Sequence, residues 1–161
     1  MRYQRVIVDG FSLLHRDDEL RPLLDGQPAL ARHQLVRKAE AYGLLLGDAV
    51  TVVFDGRRGL NDAFTGFQAE VIFSPPHLSA DGVIERMVAS APEPGRLLVI
   101  TSDRIERETV GATSAESLSC GDFLDQGRRS DRARARPSLP RAVHRPARLG
   151  DFFPPDRAKT P

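Results

Sequence analysis

The chain has 161 residues, a net charge of +1, 40% hydrophobic residues and one cysteine. That length serves one domain, or one domain with a tail, and is ample for a core. The single thiol, Cys120, excludes a disulfide framework and a multi-cysteine zinc site, and no stretch approaches the roughly 18 apolar residues of a membrane helix.

Charge is spread unevenly. Residues 1–126 hold 13 basic and 19 acidic side chains, while residues 127–161 hold 10 basic and 3 acidic ones. An acidic body therefore carries a basic tail, which points to an anionic partner or to a merely solvated segment. Met1 to Arg5 runs straight into a strand without a signal-peptide pattern, so a cytoplasmic setting is expected.

Arg5 to Asp9 reads as a short buried strand, because its apolar run does not alternate. Gly10 ends it, and residues 16–28 read as a connection rich in polar residues, Pro and Gly. Ala29 to Leu46 carries a helical period through Leu30, Leu35, Ala39, Tyr42 and Leu46, and Gly47 stops it. Ala49 to Asp55 is the clearest strand, β-branched and apolar. Gln68 to Phe73 is a third strand. Ser79 caps a helix running to about Ala91, with Val83, Ile84, Met87 and Val88 facing inward. Arg96 to Ser102 is a fourth strand, followed by a short polar helix from Asp103. Ser114 to Ser119 is an edge-type strand, and Ser119 caps a last short helix.

Buried strands alternating with helices predict an α/β domain of three layers, with a mainly parallel central sheet between helices. This domain is expected over 1–126. From Gly127 the regular pattern stops, and 127–161 reads as a basic, proline-rich tail. Phe152-Phe153 within it is an apolar plug suited to docking on the domain or on a partner.

Three strands end in an aspartate: Asp9, Asp55 and Asp103. A fourth, Asp81, lies in the first turn of a helix. Ligands of open α/β sheets sit beyond the carboxyl ends of the strands, so these side chains are expected to converge. Four carboxylates in one crevice repel each other, and a hard divalent ion such as Mg²⁺ or Mn²⁺ removes that repulsion. The same ion suits phosphodiester hydrolysis. An aspartate after a strand is also a common helix cap, a competing reading for each position and strongest for Asp81 and Asp103. Ser12 and Ser102 stand where a hydroxyl can meet substrate or cap a helix. His15, His33, His77 and His144 lack ligand spacing and read as surface or loop residues.

The blocks Val6-Ile7-Val8-Asp9-Gly10-Phe11-Ser12, Val52-Val53-Phe54-Asp55-Gly56, Ala80-Asp81-Gly82-Val83-Ile84-Glu85 and Val99-Ile100-Thr101-Ser102-Asp103 carry a resemblance. In that order the chain resembles the NYN domains of the PIN-like nuclease superfamily, in particular the bacterial YacP-like ribonucleases, over about residues 5–126. The resemblance implies a PIN-like parallel sheet and metal-dependent endoribonuclease activity on RNA, with ribosome-associated RNA as one substrate. It implies Asp9, Asp55, Asp81 and Asp103 as catalytic and metal-holding positions. Ser12, Ser102, Arg57 and Arg58 are the substrate-contact candidates, and Glu85 is a further acid one turn past Asp81. The family usually has asparagine where Ser12 stands, and its last helix is usually longer. A non-catalytic RNA- or ribosome-binding module is the alternative. A phosphatase with a second aspartate two residues after the first is disfavoured, because that position is Phe11.

Overall fold

A computed structural model describes residues 2–137. The Phe152-Phe153 plug and most of the proline-punctuated segment lie outside the described residues.

Five strands, β1 (Tyr3–Asp9), β2 (Gly47–Phe54), β3 (Glu70–Phe73), β4 (Leu97–Ile100) and β5 (Glu116–Leu118), form one sheet in the order β3-β2-β1-β4-β5. Every neighbouring pair is parallel, so the expected mainly parallel sheet is wholly so. Five helices accompany it: α1 (Gly10–Arg16), α2 (Pro28–Leu46), α3 (Ala80–Ser90), α4 (Arg104–Gly111) and α5 (Cys120–Ala135).

The three central strands, β2, β1 and β4, carry apolar runs on both faces because both faces are covered. Val6, Val8, Val52, Phe54 and Ile100 pack with Leu13, Leu35, Ala39 and Phe123 of α1, α2 and α5. Ile7, Val53 and Val99, one residue out of phase, pack with Ile84, Val88 and Val110 of α3 and α4. Period-two alternation thus feeds two cores, and the sequence between polar ends reads as continuous hydrophobicity.

Two helices differ from expectation. Gly10 does not simply end a strand; it opens α1, with Asp9 as the cap accepting from the Ser12 amide at 3.3 Å. Seven residues give too short a period to be seen. Regular structure also does not stop at Gly127. Helix α5 runs through it to Ala135, across the position where the sequence suggests a domain ends. Gly127 sits inside α5 because the Tyr42 ring of α2 lies against it, where any Cβ would overlap the ring. The glycine marks a close helix–helix approach, not a helix end.

Order along the sheet positions the site. The chain leaves β1 toward β2 and β3 on one side and later returns to β4 and β5 on the other. The strand order reverses at β1, and the crevice beyond its carboxyl end is where such sheets bind ligands. Asp9 is the last residue of β1.

Candidate functional site

Asp9 is only 6% exposed, and its carboxylate is held from three directions. Oδ1 accepts from the Ser12 amide at 3.3 Å, and Oδ2 accepts from Ser12 Oγ at 2.9 Å. Thr101 Oγ1, at the end of β4, donates to the same Oδ2 at 3.4 Å. The cap of α1 is therefore also a wall of the acidic cleft.

Asp81 enters from the first turn of α3, which Ser79 caps by accepting from the Gly82 amide at 3.2 Å. Its carboxyl is raised above the usual range, first by burial, then by the charges of Asp9 and Asp103. Asp9, Asp81 and Glu106 of α4 each bring a carboxylate oxygen to within 4.8 Å of the others.

Glu106 is the residue sequence reasoning missed. It is 2% exposed, and neither carboxylate oxygen has a hydrogen-bond partner. Burial pushes its pKa up to about 7, and the Asp81, Asp9 and Asp103 carboxylates add to the rise. The neighbouring Thr101 hydroxyl opposes the rise, more strongly than any one of those three charges promotes it. A signal existed in the sequence. Asp103 and Glu106 are three residues apart, a spacing that sets both on one side of a helix start, but it also matches a capping pattern.

The other expected acids take adjoining places. Asp55 follows β2, is exposed, and accepts from Ser74 Oγ at 2.9 Å. It shares an open cleft of about 580 Å³ with Asp9, Ser12 and Asp81. Asp103 caps α4, its Oδ1 accepting from the Ile105 and Glu106 amides at 2.8 and 3.2 Å. It acts on Asp81 and Glu106 through its charge. Glu85 is exposed, and its charge acts more weakly on Asp81 than those of Asp9 and Asp103.

Ser12 contacts Asp9 directly, and His15, exposed on α1, lines the same cleft. Ser102 lies beside the Cys120 thiol, whose pKa burial pushes up to about 11, so the cysteine is an inert buried group rather than a nucleophile. Arg57 is exposed, with no side-chain partner among the described residues. Arg58 is committed to its own loop: Nε donates to the Asp62 carbonyl at 3.2 Å, and the guanidinium lies 5.5 Å from the Phe64 ring centre. Arg32 and Asp62 pin that loop to α2 through two bonds of 2.8 and 3.0 Å.

The residues present fit a hard cation. Three carboxylate oxygens this close suit an octahedral ion with ligands at about 2.1 Å, whose neighbouring ligands stand about 3 Å apart. A buried carboxylate with both oxygens unpartnered calls for a proton or a cation.

The fold is an all-parallel α/β domain with this acidic nest at the reversal of strand order. A family model for the YacP-like NYN domain matches residues 6–144. The chain belongs to the YacP-like NYN domain family, which is nuclease-like. It is 29% identical over 122 residues to the uncharacterized protein YacP of Bacillus subtilis strain 168, covering 74% of this chain and 72% of that one. The crystal structure of Rae1 (YacP) from Bacillus subtilis matches with a TM-score of 0.65 at 28% identity, over 81% of this chain and 79% of that chain. A single-substitution variant of the same protein matches at 0.68 and 27% identity, over 81% and 78%.

Proposed function

We propose that this protein is a metal-dependent endoribonuclease that hydrolyses RNA phosphodiester bonds, with ribosome-bound RNA as a candidate substrate and the cytoplasm as its setting. The observation that carries the reading is Glu106, buried without hydrogen-bond donors beside Asp9 and Asp81. Family membership supports the nuclease class.

In this reading Asp9, Asp81 and Glu106 hold Mg²⁺ or Mn²⁺, with Asp55 and Asp103 adding negative charge around it. Such an ion, when bound, neutralises charge on a phosphodiester and makes water a better nucleophile. Ser12 fixes the Asp9 carboxylate in one orientation. Asp55, exposed across the cleft and steadied by Ser74, accepts a proton from attacking water or holds it in line. Arg57 and Ser102 meet substrate phosphate at the rim. Among the described residues no helix is long and apolar enough to cross a membrane.

The test is cleavage of single-stranded and structured RNA with Mn²⁺, with Mg²⁺ and with chelator, using wild type, Asp9→Asn and Glu106→Gln. Metal-dependent cutting should fall at least about a hundredfold in both variants. Full-rate cutting by Asp9→Asn overturns the site, and cutting in chelator overturns the metal.

A second reading, an RNA-binding module without catalysis, is favoured by the arginines of α5. It requires RNA binding with no cleavage under any metal, unchanged in Asp9→Asn.

A further inference from the structure

Helix α5 changes character along its length. Its first half holds Asp122 and Asp125; its second half holds Arg128, Arg129, Arg132 and Arg134 against Asp131 alone, and Arg136 follows as the C-cap. Arg128 faces Asp125 at 3.4 Å, and Asp131 accepts from the Tyr42 hydroxyl at 2.8 Å. No carboxylate among the described residues pairs with Arg129, Arg132 or Arg136.

Those three form a stripe. At about 100° per residue Arg129 and Arg132 lie roughly 60° apart, and Arg136, the C-cap, leaves the helix between those two directions. Cys120, Phe123, Leu124 and Gly127, the buried residues of α5, fall on the opposite side. The stripe therefore points directly away from the domain. It is also rigidly mounted, because Gly127 packs on the Tyr42 ring and Asp131 is tied to the Tyr42 hydroxyl.

The helix begins at the acidic site. Cys120 is buried there within reach of the Asp9 and Glu106 charges. At 1.5 Å per residue, Arg129 stands about 14 Å and Arg136 about 24 Å along the axis from Cys120. A stacked strand with a phosphate about every 3.4 Å covers that stretch in roughly four to seven nucleotides.

We propose that Arg129, Arg132 and Arg136 form a backbone-binding rail for the same RNA strand that enters the acidic site, gripping phosphates about four to seven nucleotides from the scissile bond. The inference rests on the nuclease reading for its partner. The rail offers the positive charge the acidic body lacks, and it leaves the repulsive site to be approached by an already tethered strand. Guanidinium groups suit phosphates and carry no base preference, so the rail adds affinity and length dependence without sequence choice.

The test uses the full chain and a triple variant, Arg129→Gln, Arg132→Gln and Arg136→Gln. The control removes the same charge elsewhere, with Arg21→Gln, Arg86→Gln and Arg96→Gln. Binding of a labelled 20-nucleotide single-stranded RNA is measured in chelator over a salt series. The rail variant should bind roughly tenfold or more weaker at 50 mM salt, with a log–log slope shallower by about 2, three contacts at about 0.7 each. The control should stay near wild type. With metal, KM for the 20-mer should rise while kcat holds, and cleavage of a 4-mer should not change. Unchanged affinity and slope in the rail variant, or an equal loss in the control, overturns the rail. So does loss of binding to phosphatidylglycerol vesicles with RNA binding intact, which would mark a membrane-facing stripe. If wild type cuts no RNA, the nuclease reading fails, and the binding series still decides the rail.

Discussion

The Glu106 carboxylate has lost its water without gaining a donor, and three other carboxylates surround it. Its pKa near 7 in the folded, metal-free chain exceeds the ordinary value of 4.5. The folded state therefore holds a proton that the unfolded state has released between about pH 4.5 and 7. Stability falls as pH rises through that window, by a few kcal/mol at most, since each unit is about 1.4 kcal/mol. Asp81, shifted the same way, adds to the slope. Glu106→Gln keeps the shape and removes the charge. In chelator at pH 8 it should melt higher than wild type, with the difference vanishing near pH 4.5. Melting curves of both proteins across that range check this. Equal curves at pH 8 would mean that Glu106 is not buried with its charge. A side chain that destabilises the empty fold while completing a ligand nest is the pattern expected at a functional site.

Among the elements, β1, β2 and β4 were legible because burial on both faces leaves uninterrupted apolar runs such as Val50 to Phe54. Helix α3 was legible from Ser79 and its inward Ile84 and Val88. Helix α1 was not, because two turns carry only Leu13 and Leu14 inward and begin at a glycine. The far end of α5 was not, because past Leu124 it buries only Gly127, so no apolar period announces it. Of the site, the strand-end aspartates were visible, and topology sets Asp9 and Asp55 in one cleft with Asp81, while the close trio of oxygens is that of Asp9, Asp81 and Glu106. Glu106 was hidden by its polar helix, whose neighbours Arg104, Glu108 and Thr109 are exposed. Gly127 offers a direct check on the α2–α5 contact. Alanine there gains about 1 kcal/mol of helix propensity but forces a methyl into the Tyr42 ring. Overpacking costs about 1–3 kcal/mol, so Gly127→Ala should be net destabilising by about 1 kcal/mol, read as a lower denaturant midpoint. A higher midpoint would show that α5 does not press on Tyr42.

For the whole molecule, ligand binding and fold stability are linked. An ion held only by the folded state stabilises it by about 2.7 kcal/mol at a hundred times its dissociation constant. Adding Mn²⁺ should raise the melting temperature of wild type and reverse its loss of stability above pH 7, while Asp9→Asn should respond little. Equal shifts in both would place the ion elsewhere. The arrangement of strands has a further consequence, in time rather than space. The central strand β1 is the first part of the sheet to be made, yet Arg5 pairs with Ala49 on one side and Leu97 on the other. At about 5–20 residues per second, the nascent chain carries Val6, Ile7 and Val8 with one edge unpaired for several seconds until β4 is made. During synthesis this protein depends on whatever shields that edge, and slowed elongation between α2 and β4 lengthens its exposure to aggregation.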